Sequence, residues 1–370
     1  MAEQGVLYNV HRAAGAAFAE MAGRQVPQRF GDPRAEYEAV RRAAGLIDLS
    51  HQGKVRIAGA DGQDFLNRML TNDIKALAAG RGCPSFLLNP KGHVVAYLSL
   101  LALPDAFLAE ADPAAAAGMI EMLARYVVAD DVILEDVSEA WGLLSLQGPA
   151  APAVLEALLG GPVPPLEPLQ FAEVQVGGVP VRLVGHSRTG ETGHDLWVAA
   201  DRAAALWEAA MRAGARHGLR PVGQAALNVL RLEAGQAWGG DVAGDVLAME
   251  TGLEEVISFS KGCYIGQEFV VRIAHRGHVN RKLSGLVLNG DRVPEAGDKV
   301  VQGDKEAGWI TSAALSPALG RPIALGYVRR ECNAPGSKVA VRTGGLAVDA
   351  EVVALPFLKG VRQFDSSIVR

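Results

Sequence analysis

Cysteine is scarce in this chain, and its scarcity argues against two kinds of site. Three cysteines, Cys83, Cys263 and Cys332, occur in 370 residues, an odd number at wide spacing. Such spacing suits neither a disulfide framework nor a paired-cysteine metal site. Cys263 with His275 and His278 matches no standard metal-ligand spacing either, so no metal is predicted. This cysteine usage favours a reducing cytoplasm.

Basic charge and long apolar runs are also lacking. The formal net charge is -5 and the isoelectric point is near 5.9, whereas nucleic-acid-binding domains are usually basic. The most apolar stretch, residues 94–103, is about half the length of a membrane span. The first residues show no charged segment followed by an apolar run, so no signal peptide is expected. We therefore expect a chain that binds neither nucleic acid nor membranes.

Core-forming residues, in contrast, are plentiful. Hydrophobic residues make up 49% of the 370 positions and charged residues 21%, which is a globular composition. The chain is longer than a single hydrophobic core normally supports, so two or three domains are expected.

A strand–glycine–helix pattern occurs twice in the first half of the chain, 89 positions apart. Gly59 separates the strand and the helix of the first copy, and Gly148 those of the second. The flanking apolar residues match at the same offset: Val55, Ile57, Phe65, Leu66 and Leu70 correspond to Leu144, Leu146, Val154, Leu155 and Leu159. We interpret the two segments as copies of one α+β unit.

Local signals predict further elements. Asp32-Pro33 is a typical helix start, and Gly45 is the expected stop of that helix. The last third of the chain contains short β-rich runs separated by turn residues, which predicts a small barrel or sandwich. These runs are 283–288, 299–302, 307–311, 323–328, 338–342 and 347–353.

One eight-residue segment carries several chemically active side chains, and it is Lys261-Gly262-Cys263-Tyr264-Ile265-Gly266-Gln267-Glu268. A helix is predicted from Gly266-Gln267-Glu268 to Arg276. Cys263 would then lie just before a helix N-terminus and two residues from Lys261, and both features favour a thiolate. Cys263 is therefore a candidate catalytic thiol. The alternative is a tight turn with a packed cysteine.

A basic run follows this segment. No acidic residue lies between Glu268 and Asp291, and the candidate anion-binding residues there are Arg272, Arg276, Arg281 and Lys282. Such a density of cations in an acidic protein indicates an anion site. A solvated face between a helix and a strand is the alternative.

The eight-residue segment resembles the signature of the folate-binding YgfZ branch of the glycine-cleavage T-protein (aminomethyltransferase) family, and the resemblance extends roughly over residues 35–357. The run 189–193 resembles the family's Thr-Gly-Glu-x-Gly motif, which implies that Glu191 binds the pterin of folate. The run 231–235 resembles the Arg-x-Glu-x-Gly segment, which implies that Arg231 faces the ligand and that Glu233 orients it. The alternatives are an exposed acid at a hairpin tip and a surface arginine. The basic run would bind the glutamate tail of folate or an acidic partner.

The chain departs from the transferase branch of that family at a place that bears on the reaction. Where the transferases have adjacent aspartates, this chain has Ala96 and Tyr97. No carboxylate at those positions can serve acid–base chemistry near a folate nitrogen. We therefore expect aminomethyl transfer to be absent.

The resemblance implies an α+β fold with two interleaved ferredoxin-like halves and a C-terminal small β-barrel, arranged like a ring around a folate channel. The expected division is 1–50 with 138–221, 51–137 with 222–277, and 278–370. The implied role is tetrahydrofolate-dependent assembly or repair of iron–sulfur clusters, with Cys263 as the functional thiol. A transient cluster would be shared with scaffold or client proteins. The alternatives are a folate-dependent aminomethyltransferase or demethylase, and a non-catalytic folate-binding regulator.

Overall fold

The computed structural model describes residues 2–358, apart from the side chain of Arg276. Within that range the backbone forms nine α-helices. They are α1 (Tyr8–Ala13), α2 (Pro33–Arg42), α3 (Gly62–Met69), α4 (Pro113–Ala124), α5 (Ala151–Leu159), α6 (Ala203–Gly214), α7 (Gln224–Glu233), α8 (Gly239–Val242) and α9 (Gln267–Arg276). None of the helices in the described range is long and apolar enough to cross a bilayer.

The same residues form twenty β-strands. They are β1 (Glu3–Gln4), β2 (Ala17–Met21), β3 (Arg24–Arg29), β4 (Ala44–Asp48), β5 (Gly53–Ala58), β6 (Gly82–Leu88), β7 (Val94–Ala102), β8 (Ala106–Ala111), β9 (Ile133–Asp136), β10 (Trp141–Gln147), β11 (Phe171–Val176), β12 (Val179–Gly185), β13 (Gly193–Ala199), β14 (Leu219–Val222), β15 (Arg281–Leu288), β16 (Lys299–Gln302), β17 (Lys305–Ser316), β18 (Arg321–Arg329), β19 (Lys338–Thr343) and β20 (Leu346–Val353).

The strands are arranged in two interleaved sheets, a barrel and a small N-terminal sheet. The six-stranded sheet has the order β11-β12-β13-β10-β4-β14, and the five-stranded sheet has the order β6-β7-β8-β5-β9. The five-stranded sheet is inserted between β4 and β10 in sequence. A closed barrel follows, in the order β15-β18-β17-β16-β19-β20, and β1-β3-β2 form the small sheet. The predicted α+β fold, with two interleaved halves and a C-terminal barrel, is confirmed.

The two strand–glycine–helix units lie in different sheets. β5 leads through Gly59 to α3, and β10 leads through Gly148 to α5. Both glycines have positive φ angles, 108° and 124°. A Cβ on Gly59 would lie 2.0 Å from the carbonyl oxygen of Asp131, and one on Gly148 would lie 2.6 Å from that of Ala43. Each turn passes too close to a neighbouring backbone for any side chain, which explains the glycine in both copies.

The first predicted helix begins as expected and ends early. Pro33 is the first residue of α2, and the Asp32 side chain accepts a hydrogen bond from the backbone N–H of Arg34 at 3.0 Å. The helix ends at Arg42, because β4 already begins at Ala44 and pairs with β10 and β14. A Cβ on Gly45 would lie 2.5 Å from a methyl group of Val40. Gly45 therefore lets the strand pack closely and does not stop the helix.

The C-terminal predictions are confirmed. All six predicted runs are strands of the barrel, and α9 spans Gln267–Arg276 with Gly277 directly after it. The division of the chain at residues 50, 137, 221 and 277 stays a prediction about folding units. Residues 359–370, which that division assigns to the barrel, lie outside the described residues.

Candidate functional site

A cavity of about 580 Å³ lies where the two interleaved sheets meet the barrel. The five-stranded sheet contributes Tyr97, Ser99 and Glu110 to its wall, and the connection after β12 contributes His186 and Arg188. The rest of the wall includes residues 236–239, residues 251–253, Glu255, residues 282–285 of β15 and residues 353–355 at the end of β20.

Strand alternation places the polar residues of the five-stranded sheet on the cavity side. Ala96, Leu100 and Ala109 belong to the buried core that α3 and α4 cover. Tyr97 and Glu110 are direct neighbours of core residues along β7 and β8, and successive residues of a strand point to opposite faces. Both therefore project from the other face of the sheet, into the cavity.

Arg188 is held in the cavity wall by two carboxylates. Its Nη2 donates to both oxygens of Glu110, at 2.8 and 2.7 Å, and to Asp195 Oδ2 at 2.6 Å. Its Nε donates to Asp195 Oδ1 at 3.1 Å. The Nδ1 atom of His186 lies 2.9 Å from Asp195 Oδ2. Glu110 and Asp195 are buried, so this is an internal network of charge-assisted hydrogen bonds.

The network keeps Arg188 and Asp195 ionised in spite of their burial. Burial disfavours the charge on Arg188, but Asp195 and Glu110 outweigh it and raise the pKa of the guanidinium. Burial likewise opposes ionisation of Asp195, but Arg188 and His186 lower the pKa of that carboxyl below its usual value. The cavity wall therefore carries a fixed pattern of charge.

Three members of this network also have the grouping of a metal site. Glu110, His186 and Asp195 each bring one potential ligand atom within 4.8 Å of the others. Arg188 donates to both of these carboxylates, so its guanidinium already supplies the positive charge that a cation would bring. We interpret the cluster as an ion-pair network.

Two further carboxyls line the cavity. Asp112 Oδ1 accepts the backbone N–H of Ala114 at 3.0 Å and so caps α4. Glu255 lies in a 3₁₀ turn, Glu254–Val256, and burial raises the pKa of its carboxyl. Burial, followed by the charge of Glu255, raises the pKa of Tyr97, so this phenol is neutral in the folded protein.

Glu191 lies away from the cavity. Its Oε1 atom is 2.8 Å from Nη1 of Arg41, whose Nη2 donates to Glu233 at 2.7 Å. The residues of the same loop that line the cavity are His186, Ser187 and Arg188. Binding of the pterin by Glu191 stays a prediction.

Arg231 lies one layer behind the cavity wall. Its guanidinium donates to Asp241 at 2.5 Å and to the hydroxyl of Ser312 at 2.7 Å, and it stacks 4.6 Å from the ring centre of Trp238. Trp238 lines the cavity. Asp241 holds Arg231 in place, whereas the sequence pointed to Glu233. Residues two positions apart on a helix do not share a face, and Glu233 instead accepts hydrogen bonds from other partners.

The eight-residue segment packs against β6 and the preceding turn, with Cys263 exposed. Lys261 Nζ donates to the carbonyls of Leu70 and Asn72 at 2.7 and 2.6 Å, and burial lowers the pKa of this ammonium group to about 8. The helix begins four residues after Cys263, at Gln267. The Lys261 charge is thus directed at backbone carbonyls. The roles of Tyr264, Gly266, Gln267 and Glu268 as signature residues stay predictions.

The basic run does not converge on one site among the described side chains. Arg272 is exposed, over the ring of Phe269. Arg281 donates to Glu250 and stacks on Trp309. Lys282 lines the cavity. The side chain of Arg276 lies outside the described residues, so an anion site formed by this run stays a prediction.

Sequence reasoning missed the network around Arg188. One signal was available: Glu110 is the one charged residue in the apolar run of β8, Ala106–Ala111, and a buried charge in a strand needs a partner. The partner itself was not visible, because Arg188 lies 78 residues further along the chain.

The comparisons with known proteins cover nearly the whole chain. Residues 7–261 match the profile of the GCVT N-terminal domain, and residues 281–359 match that of the glycine cleavage T-protein C-terminal barrel domain. A protein of Saccharopolyspora erythraea named aminomethyltransferase is 36% identical over 357 residues, covering 95% of this chain and 97% of the relative. An aminomethyltransferase of Streptomyces coelicolor is 36% identical over 94% of this chain and 95% of the relative.

A solved structure is also similar over its full length. The crystal structure of glycine cleavage system aminomethyltransferase T from Bartonella henselae superposes with a TM-score of 0.89 at 27% sequence identity. The match covers 99% of this chain and 100% of that one.

The predicted assignment to the YgfZ branch is wrong. The relatives that match almost end to end are named aminomethyltransferases, and they outweigh a resemblance centred on eight residues. The iron–sulfur role, the transient cluster and the scaffold or client partners were all inferred from that assignment. They have no support in these relatives.

Proposed function

The chain belongs to the glycine cleavage T-protein family, and on that premise we propose that it binds tetrahydrofolate in the central cavity and transfers a one-carbon unit of the aminomethyl class to it. The observation that carries the proposal is the cavity itself. It is lined by the five-stranded sheet, by segments that follow strands of the six-stranded sheet and by the barrel, in a chain that aligns over 95% of its length with an aminomethyltransferase.

The cavity suits a ligand of this size and polarity. Its volume of about 580 Å³ falls within the range of roughly 300–1,000 Å³ that is usual for small-molecule sites. Tyr97, Trp238 and Leu253 supply apolar surface for a flat heteroaromatic ring. The hydroxyl of Ser187, which lines the cavity, is buried and has no hydrogen-bond partner among the described residues. A buried polar atom of this kind is normally satisfied by a ligand or a water molecule.

Glu110 is the carboxylate we assign to the aminopyrimidine edge of the pterin. Arg188 holds it in place, and each of its oxygens has lone pairs beyond those that the guanidinium uses. A carboxylate that accepts two N–H groups from one ring edge makes strong, oriented hydrogen bonds. Bound tetrahydrofolate would supply the nitrogen atoms that accept the one-carbon unit.

The expectation that transfer is absent depended on two positions only. Ala96 is buried in the core, and Tyr97 places a neutral phenol in the cavity. Carboxyl groups from other segments, Glu110, Asp112 and Glu255, line the same space. The lack of acids at positions 96 and 97 therefore does not remove acid–base capacity from the site.

The first prediction tests where the pterin binds. Calorimetry with tetrahydrofolate on Glu110→Gln should show affinity weakened by more than about tenfold, since a charge-assisted hydrogen bond is worth roughly 1.5–3 kcal/mol. Glu191→Gln is the matched variant, because the sequence-based prediction assigns the same loss to Glu191. The variant that loses tetrahydrofolate affinity identifies the residue that binds the pterin. Unchanged affinity in both variants would contradict the assignment of either residue to the pterin.

The transfer reaction is tested separately. The unaltered chain, incubated with tetrahydrofolate and an aminomethyl-loaded carrier protein, should form methylenetetrahydrofolate. Folate binding without product formation would contradict the transfer function and would favour a non-catalytic folate-binding regulator.

A further inference from the structure

The carboxyl groups that line the cavity differ in whether other protein groups already bind them. Glu110 is ion-paired with Arg188, and Asp112 caps α4. Glu255 has no ion pair and no side-chain hydrogen bond to another residue in the described range, and its carboxyl accepts only its own backbone N–H. A group that must take up and release a proton cannot be held by a fixed cation, because the ion pair locks its ionised form.

Glu255 lies at the part of the cavity where Tyr97 replaces a family acid. Both residues line the cavity, and the charge of Glu255 acts on the Tyr97 phenol. They come from different segments, β7 and the 3₁₀ turn at Glu254–Val256. The turn is anchored behind the cavity, since the carbonyl of Val256 accepts the hydroxyl of Thr71 at 2.7 Å. The Thr71 hydroxyl oxygen in turn accepts the backbone N–H of Phe86 on β6 at 2.9 Å, so the position of the turn is tied to the five-stranded sheet.

We propose that Glu255 is the proton-transfer group of this cavity and takes the place of the acid that is missing at Ala96 and Tyr97. The inference rests on the proposed function. Glu255 accepts the proton that leaves a folate nitrogen as the new carbon–nitrogen bond forms. It returns that proton to the leaving atom, which keeps the electron pair of its broken bond to carbon. The carboxyl ends the step in the state in which it began.

The surroundings of Glu255 suit this role. Burial raises the pKa of the Glu255 carboxyl above its usual value, in spite of the hydrogen bond from its own backbone N–H. Cations reach the cavity from two other elements, Lys282 on β15 and Arg188 after β12, while Tyr97 on β7 is neutral. A carboxyl whose pKa approaches the working pH is an efficient acid–base group.

Glu255→Gln tests the proposal through the rate. We expect kcat to fall by roughly 10²- to 10⁴-fold, while the affinity for tetrahydrofolate changes less than about threefold. The acidic limb of the pH–rate profile should disappear, and Glu255→Asp should restore part of the rate. Glu254→Gln is the matched control, because it removes an adjacent exposed carboxylate and should leave the rate unchanged.

A second measurement does not depend on turnover. Calorimetric titration with tetrahydrofolate in buffers of different ionisation enthalpy reports the protons exchanged on binding. The unaltered chain should exchange protons near the pKa of Glu255, because the ligand covers that carboxyl, and Glu255→Gln should lose this exchange. Equal proton exchange in both proteins, or full activity of Glu255→Gln, would overturn the role of Glu255. Absent turnover with normal proton exchange would count against the transfer function alone.

Discussion

Arg41 and Arg188 are each bound by two carboxylates from distant parts of the chain, yet only one of the two networks faces the cavity. Arg41 lies between Glu191 and Glu233, at 2.8 and 2.7 Å. Arg188 lies between Glu110 and Asp195, at 2.7 and 2.6 Å. By distance and chemistry the two arrangements are nearly the same.

Their surroundings separate them. In the Arg41 network, Glu233 also accepts the hydroxyls of Tyr37 at 2.8 Å and Ser316 at 2.5 Å, so protein groups satisfy its carboxylate. This network joins α2, α7 and the barrel. In the other, Glu110, His186 and Arg188 border open space. A buried ion pair therefore marks a functional site only where it borders a cavity that a ligand can enter.

The largest effect is expected from Arg188→Met. The substitution leaves the buried carboxylates of Glu110 and Asp195 without their cation, which should cost about 3–5 kcal/mol of unfolding free energy. Urea denaturation measures the stability, and calorimetry should show loss of tetrahydrofolate binding.

Arg41→Met is the matched control. It should cost less, because Glu191 is partly solvated and Glu233 keeps two hydroxyl donors, and it should leave folate affinity unchanged. Equal losses in both variants would erase the distinction between the networks.

A smaller effect on stability is expected at acid pH from His51, a buried histidine whose pKa is affected by the charge of Arg188. Burial, with the charges of Lys54, Arg24 and Arg188, lowers the pKa of this histidine to about 4 in spite of Asp48. The folded pKa lies below the unfolded value, so the unfolded chain takes up the proton first. The stability contributed is present above pH of about 6.5 and is lost as pH falls toward 4, by roughly 3 kcal/mol. His51→Gln should flatten this slope in urea titrations at several pH values, whereas the exposed His278→Gln should not.

The smallest effect on stability is expected at Cys263, which belongs to neither network. Cys263 is exposed, whereas Cys83 and Cys332 are buried, and burial raises the pKa of Cys83 to about 12. Iodoacetamide should therefore label Cys263 at least about tenfold faster than the other two thiols. Cys263→Ser should change the unfolding free energy by less than about 0.5 kcal/mol. Faster labelling of Cys83 would show that the local packing opens in solution.

The secondary structure was largely predictable, because its signals are local. The six barrel strands and α9 are bounded by turn residues that lie within a few positions of them. Gly59 and Gly148 indicated the repeated unit, although the sequence alone did not show that its two copies lie in different sheets. The prediction that Gly45 ends the helix was wrong. The sequence alone does not distinguish a glycine that permits close packing from a glycine that ends a helix.

The sequence by itself determined the helix after Asp32, α9, the six barrel strands and the repeated α+β unit, since periodicity and turn chemistry are properties of neighbouring residues. The two interleaved halves were implied by the family resemblance. Only the tertiary structure decided which charges meet. Glu110 and Arg188 are 78 residues apart, and Glu191 and Arg41 are 150 residues apart. Alternation along β8 shows that Glu110 and Ala109 point to opposite faces, but not which face is covered by helices and which borders the cavity. The same holds for Glu255, which the packing of a short turn against Thr71 brings into the wall beside Tyr97.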